Sequence, residues 1–297
     1  MSTHPLVSLI VVTYNSAAEL ASFFAALAGT TYPRYEVIVV DNASTDTTVA
    51  DLAAYPATPI ASSTNLGFGR GCNRGAAAAQ GEYLVFLNPD VQVTPEWLSV
   101  LMQHSQQHPE AMLCPSTLYP DQPPPPPVPP LEVVAAVPGC ALFVPRATWQ
   151  QVGPFDEHIF LYWEDTELCW RASLLGYRIM ADFVSIVYHQ RGASTGFRRW
   201  DDELTKNSLY TYLKLMRWRR VLPFTLVLAV KTLLKLAIYR QPGLGRAWWW
   251  NIRHLPQTLR ARRLVLDKRQ TAPIIIERLI AEHARRMRRE RRARRGD

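Results

Sequence analysis

The chain is poor in cysteine and, over its first two-thirds, poor in positive charge. Four cysteines in 297 residues (Cys72, Cys114, Cys140, Cys169) stand far apart, with no CxxC pair and no histidine at ligand spacing. That spacing argues against a disulfide framework or a zinc site. It suits four buried small hydrophobes in a reducing compartment. Residues 1–197 hold only 7 Lys and Arg against 17 Asp and Glu, a net charge of −10. Residues 198–297 hold 26 against 8, a net of +18, so the whole-chain value of +8 hides two regions of opposite sign. The first region reads as an ordinary acidic globular domain, the second as something meant to meet an anionic surface. No basic segment precedes an apolar stretch at the N-terminus. No signal peptide is therefore expected, and the expected location is the cytosol.

The strongly apolar stretch Leu222–Tyr239 is interrupted by Lys231 and Lys235, one turn apart on one helical face. A membrane-spanning helix wants about 20 apolar residues without central charges. Two lysines beside a broad apolar face fit a helix lying in the membrane interface, with a packed core helix as the alternative. Trp248-Trp249-Trp250, flanked by Arg246 and Arg253, favours the headgroup level. An anionic membrane face is thus an expected partner. The arginine clusters between Arg260 and Arg295 suit anionic lipid, nucleic acid or a disordered basic tail. They interleave no aromatics in the manner of a base-stacking platform, so no nucleic-acid partner is expected.

What the first two-thirds does have is alternation. Val7–Val12 is a β-rich run, followed by a helix capped at Asn15 or Ser16, with Leu20, Phe23, Phe24 and Leu27 at helical spacing and Gly29 as its stop. Tyr35–Val40 reads as a second strand and a short one follows near Ile60. An Ala-rich helix runs to Gln80, and Tyr83–Leu87 is a continuous apolar run suited to a strand buried on both faces. A helix is expected from Pro95, with the proline in its first turn, to about Gln107. Residues 120–130 read as a polyproline loop on the surface, rimming the site or serving as a proline-recognition ligand. Val133–Val144, broken by Gly139, resumes strand character. A helix starting at Asp165 is closed by Gly176, and two short strands, Tyr177–Ala181 and Val184–Tyr188, deliver His189. One helix is expected from Asp201 to Arg220. Strands alternating with helices predict right-handed βαβ units and a mostly parallel α/β sheet, residues 1–197, with a basic helical extension, residues 198–297.

Three places carry chemistry. Asn88-Pro89 ends the strand at Leu87, because proline lacks an N–H and has a fixed φ. Asp90 is thereby delivered past the strand's carboxyl end, the rim where open α/β sheets bind ligands. A carboxylate there can hold a divalent cation, which can hold phosphates; an Asn-Pro-Asp turn without chemistry is the alternative. Glu164, Asp165 and Glu167 open a helix, where acids are favoured by the helix dipole alone. The preceding aromatics Phe160, Tyr162 and Trp163 go beyond that and suit a sugar-stacking wall. His189 follows a strand, as a rim residue or a ligand.

Five segments in order, Val7–Ser16, Val39–Asp46, Asn65-Leu-Gly-Phe-Gly69, Leu87-Asn-Pro-Asp90 and Gly153–Glu157 followed by Trp163-Glu-Asp165, resemble the inverting family-2 (GT-A fold) glycosyltransferases. Within that family they are most similar to the bacterial rhamnosyltransferase-like branch. The resemblance covers about residues 5–195. It implies a nucleotide-diphosphate-sugar donor, dTDP- or UDP-linked, held across the strand ends with Mg2+ or Mn2+. It implies that Thr13, Tyr14 and Asn15 cradle the nucleobase and that Asp41 accepts a pyrimidine N3–H, a role open to an acceptor-only carboxylate. Gly67 and Arg70 match the loop lying against the nucleotide. Asp90 matches the last metal-binding acid, and His189 matches a metal-ligating position of related sugar transferases. The family's more usual Asp-x-Asp is Asn88-Pro89-Asp90 here, so Asn88 brings no charge and is assigned to the ribose. Asp165 matches the general base, with Glu164 as the competing base or as an acceptor-binding residue, and Trp163 would shape the acceptor pocket. The implied activity is transfer of rhamnose or another hexose to a saccharide or lipid-linked acceptor in cell-surface glycan synthesis, at the cytosolic face of the plasma membrane. A non-catalytic nucleotide-sugar-binding relative is the competing reading, and Asn88 is its support.

Overall fold

The computed structural model describes residues 4–123, 129–190 and 201–295. The first strands are β1 (Val7–Thr13), β2 (Tyr35–Asp41), β3 (Thr58–Ala61), β4 (Tyr83–Leu87) and β5 (Val91–Val93). They are followed by β6 (Met112–Leu118), β7 (Leu131–Val133), β8 (Ala141–Pro145) and β9 (Ile179–His189). Among the described residues these nine make one sheet in the order β3-β2-β1-β4-β8-β6-β9-β5, with β7 added on β9. The strands β1, β2, β3, β4, β6 and β9 point one way, and β8, β5 and β7 run against them. The sheet is mixed and mostly parallel, as the alternation of strand and helix predicts.

Two-sided burial explains why the inner strands are continuous apolar runs. On β1, Val7, Leu9 and Val11 enter one core, while Ile10 and Val12 enter the other. On β4, Val85 and Leu87 face the first core and Leu84 and Phe86 the second. The first core is closed by helices α1 (Ala17–Ala28) and, after the short helical turns α2 (Thr48–Asp51) and 52–54, by α4 (Trp97–Gln107). The second is closed by α3 (Phe68–Ala78), α5 (Arg146–Val152) and α6 (Glu164–Leu174). All four cysteines are free thiols inside these cores.

Several boundaries differ from the sequence expectation. Pro95 precedes α4 instead of sitting in its first turn, and its carbonyl accepts the Thr31 N–H at 2.9 Å. The segment 133–144 is two strands, β7 and β8, separated by a loop through Gly139. The two expected final strands are one, β9, whose register against β6 slips between Pro115 and Ser116. There the Asp182 carboxylate accepts the N–H groups of Val184 and Ser185, each at 2.9 Å, so a bulge looks like a break. Residues 124–128 of the polyproline stretch lie outside the described residues, and so does the boundary expected at residue 197.

The C-terminal region is helical: α7 (Asp201–Leu215), α8 (Trp218–Tyr239), α9 (Gly243–Arg253), α10 (Leu255–Lys268) and α11 (Ile274–Arg295). The single helix expected over 201–220 is therefore two, with the chain extended at Arg217. A third cluster of Trp170, Leu174, Leu215, Met216, Val221 and Ile276 joins α6 to α7, α8 and α11. Ion pairs reinforce that join. Lys214, on α7, donates to Asp156 and to Glu167, on α6, and Arg171 holds Glu167 at 2.8 Å.

Candidate active site

The carboxyl ends of β1, β2, β4 and β9 lie at one rim of the sheet. A cleft of about 260 Å³ opens there, lined by Thr13, Tyr14, Asn42, Gly67, Asn88, Asp90, Phe160 and His189 among others. Of the residues singled out by sequence, Thr13, Tyr14, Gly67, Asn88, Asp90 and His189 thus share one cavity. Thr13 is fully buried, while Tyr14 is half-exposed at the mouth.

Local chemistry explains the walls. Asn15, at φ 52°, takes a left-handed turn that asparagine tolerates. Its side-chain oxygen accepts the Thr45 N–H at 2.8 Å and its own N–H donates to the Ser44 hydroxyl at 2.8 Å, lacing the loops after β1 and β2 together. Asp41 is buried beneath that lacing and accepts from Thr13 at 3.1 Å and from the Ser44 N–H at 2.9 Å. Asn42 donates to the Gly67 carbonyl at 3.0 Å, and its buried Oδ1 has no partner, so the cleft wall carries one unspent acceptor. Gly67 sits at φ 80°, and a Cβ there would lie 2.2 Å from the Phe160 carbonyl oxygen. Only glycine fits that crossing of two chains.

Arg70 is turned elsewhere. Its guanidinium donates to the Glu157 carbonyl at 2.9 and 2.6 Å, and it lines a neighbouring groove with His158, Lys206 and Trp250.

At the cleft floor, the Asn88 N–H donates to the Cys140 carbonyl at 3.0 Å, fixing the turn that presents Asp90. The strand β5 pairs with β9 in a register that sets Val91 opposite His189. That pairing brings Asp90 Oδ1 to 3.1 Å from His189 Nε2. Among the described residues no third His, Cys, Asp or Glu joins them. A carboxylate oxygen and an imidazole nitrogen facing an open cleft are a donor pair that would fit Mg2+ or Mn2+, with room for further oxygen ligands.

The acidic helix start lies beside this floor. Asp165 Oδ2 accepts the Gly139 N–H at 3.0 Å, one residue before Cys140, and Oδ1 accepts the Thr166 N–H. Burial pushes the Cys140 thiol up to about 11, and the nearby Asp90 and Asp165 carboxylates add to the rise. Burial also raises Asp165, against the opposing pull of the Thr166 and Gly139 N–H groups. Glu164 is pushed further, to about 8, by burial and then by the Asp165 charge, and its buried Oε2 has no partner. Of these adjacent acids, the better hydrogen-bonded one keeps the negative charge and its neighbour holds the proton. That leaves the charge on Asp165.

The lead-in to α6 is strained. Tyr162 and Trp163 both adopt positive φ, 65° and 75°. Sequence reasoning missed what holds them: Asn207, on α7, donates to the Leu161 carbonyl at 2.9 Å and the Tyr162 carbonyl at 3.0 Å. No local pattern around Asn207 signals this, because its partners lie some 45 residues away in the chain. Trp163 itself packs edge-on against Trp170 and Tyr212, in the join between α6 and α7.

The architecture is that of the GT-A, Rossmann-like sugar-nucleotide transferases. The sequence profile of glycosyl transferase family 2 matches residues 8–176, and the chain belongs to that family. It is 28% identical to an N-acetylglucosaminyl-diphospho-decaprenol L-rhamnosyltransferase of Mycobacterium tuberculosis, over 73% of this chain and 88% of that protein. It is 33% identical to an uncharacterized glycosyltransferase of Haemophilus influenzae over 35% of this chain, a match spanning 36% of that protein. Solved structures share the fold. Staphylococcus aureus TarS 1-349 in complex with UDP-GlcNAc aligns with a TM-score of 0.61 at 20% identity, covering 81% of this chain and 79% of that one. The mannosyltransferase PcManGT of Pyrobaculum calidifontis, in complex with GDP-Man and Mn2+, aligns at 0.59 and 18% identity, covering 90% and 86%.

Proposed function

We propose that the protein is an inverting, metal-dependent glycosyltransferase that moves rhamnose or another hexose from a dTDP- or UDP-sugar to a saccharide or lipid-linked acceptor. The observation that carries this reading is the meeting of Asp90 and His189 at the floor of the rim cleft, with Asp165 bound to the N–H of Gly139, next to the Cys140 whose carbonyl holds the Asn88 turn. The likeness to the mycobacterial rhamnosyltransferase over most of both chains supports a rhamnosyl donor and a lipid-diphosphate-linked acceptor. The Mn2+-containing relative supports a divalent cation.

In this reading the base stacks at Tyr14, and Asp41 offers its remaining acceptor capacity to a pyrimidine N3–H. Asn88 meets the ribose. Asp90 and His189 would hold Mg2+ or Mn2+, which neutralises charge on the departing diphosphate. Asp165 takes the acceptor hydroxyl's proton as that oxygen attacks the anomeric carbon, opposite the breaking C1–O bond. Its raised pKa makes it a stronger base than a solvated aspartate, and protonated Glu164 keeps a second negative charge out of the site.

The test is a sugar-nucleotide panel assayed with and without Mn2+, using wild type and Asp165→Asn. Turnover of one donor by wild type, lost in the variant while donor binding persists, is expected. Turnover that survives in Asp165→Asn would remove the base assignment, and binding without any turnover would favour a non-catalytic relative.

A further inference from the structure

The helix α8 is long, apolar and little covered. It is 22 residues long, with a mean hydropathy of 2.0 over its most apolar window, yet only 11% of that window is buried. Leu222, Leu226, Leu233 and Ile238 are 65–67% exposed. At about 100° per residue, the exposed apolar side chains from Leu222 round to Ile238 fill an arc of about 160°. Val221 and Thr232, the buried residues of α8, fall on the opposite side of the helix. Lys231 stands at the edge of the apolar arc, next to Ile238.

We propose that this face of α8 lies flat in the surface of an anionic lipid bilayer and holds the enzyme there. Three contacts fix the helix to the protein along its other side. Lys235 Nζ donates to Asp201 Oδ1 at 2.7 Å, the Trp248 indole donates to Thr232 Oγ1 at 3.1 Å, and Phe224 stacks on Tyr212 with ring centroids 3.7 Å apart. A helix crossing the bilayer would have to break these contacts or drag the acidic first turn of α7 into hydrocarbon. Lying in the interface keeps all three and covers the apolar arc.

Charge selects lipid over a second copy of the chain as the occupant. The segment Trp218–Tyr239 contains no acidic residue. Exposed Arg219, Lys231, Arg240 and Arg246 stand on or around it. Two such faces brought together would set cations against cations, whereas phosphatidylglycerol-type headgroups neutralise them. The inference stands apart from the catalytic reading, since it uses no residue of the rim cleft.

Flotation of the full-length protein with phosphatidylcholine vesicles, with and without phosphatidylglycerol, tests it. Wild type should float with the anionic vesicles, less so in high salt, and alkaline carbonate should strip it off. The double variant Leu226→Glu, Leu233→Glu should partition at least about tenfold less. Unchanged circular dichroism and sugar-nucleotide binding would show that the variant is folded and its donor site intact. A second variant, Lys231→Glu with Arg246→Glu, should lose the preference for anionic over neutral vesicles. Equal flotation of the leucine variant, or resistance of wild type to carbonate, would overturn the proposal. So would a wild-type dimer that ignores vesicles and becomes a monomer in the leucine variant.

Discussion

His189 Nε2 and Asp90 Oδ1 stand 3.1 Å apart although 99 residues separate them in the chain. Replacing Asp90 with Ala should weaken Mn2+-dependent donor binding by about a hundredfold, and replacing His189 with Ala by about tenfold. Calorimetric titration of a sugar nucleotide at several Mn2+ concentrations reads both. Equal donor affinity with and without metal in wild type would dissolve the pair's assigned role.

Asp165→Asn should lower kcat by about 10³-fold with little change in donor affinity, since a positioned base contributes roughly 10²–10⁴-fold. Activity requires the ionised base, so it should fall as pH drops through its pKa. Because burial raises that pKa, the acidic limb should lie above the ordinary aspartate value of about 4. A pH–rate profile locates it.

Glu164 has a separate signature in stability. Its native pKa of about 8 lies above the ordinary carboxyl value of 4.5, so the folded state binds more protons than the unfolded one between those limits. Stability must then fall as pH rises through that window. Glu164→Gln should flatten the decline, and its melting temperature relative to wild type should be higher at pH 8.5 than at pH 5. A difference between the two proteins that stays constant with pH would refute the buried-proton account.

Lys214→Met should destabilise the fold by roughly 3–5 kcal/mol, because it leaves Asp156 and Glu167 as buried carboxylates short of a partner. Urea unfolding measures this. A loss below about 1 kcal/mol would mean that the two acids are already satisfied by Arg171, Tyr210 and His158.

Gly67→Ala should cost donor binding more than about tenfold, since the new methyl group meets the Phe160 carbonyl and the backbone is held at φ 80°. Crystallography or donor titration of the variant would register the displaced wall. Wild-type affinity would show that the loop yields without consequence.

The inner strands were legible because burial on both faces leaves no polar position to confuse the pattern. Tyr83–Leu87 matches β4 residue for residue. The edges were not. The strand β5 is three residues long, too short for propensity to announce, yet its register against β9 is what joins Asp90 to His189. The break between α7 and α8 carries no glycine or proline at Met216-Arg217, and the bulge after Asp182 reads locally as a strand end. Motif position placed Arg70 at the nucleotide, but the helix begins at the sharp turn of Gly67 and sends that side chain to the Glu157 carbonyl. Asn207 and Lys214, on α7, meet partners between Asp156 and Glu167 that lie 45 to 58 residues back in the chain. No window of sequence contains both ends of such contacts.

The paired left-handed residues Tyr162 and Trp163 have a consequence for the order of assembly. Conformations of that kind cost energy, and the clamp offsetting the cost comes from Asn207, on a later helix. During synthesis every strand that borders the donor cleft, β1 through β9, is complete before α7 emerges. The acid-bearing corner has to wait for α7 to emerge and dock, so the nascent chain is equipped to hold a donor before it is equipped to spend one.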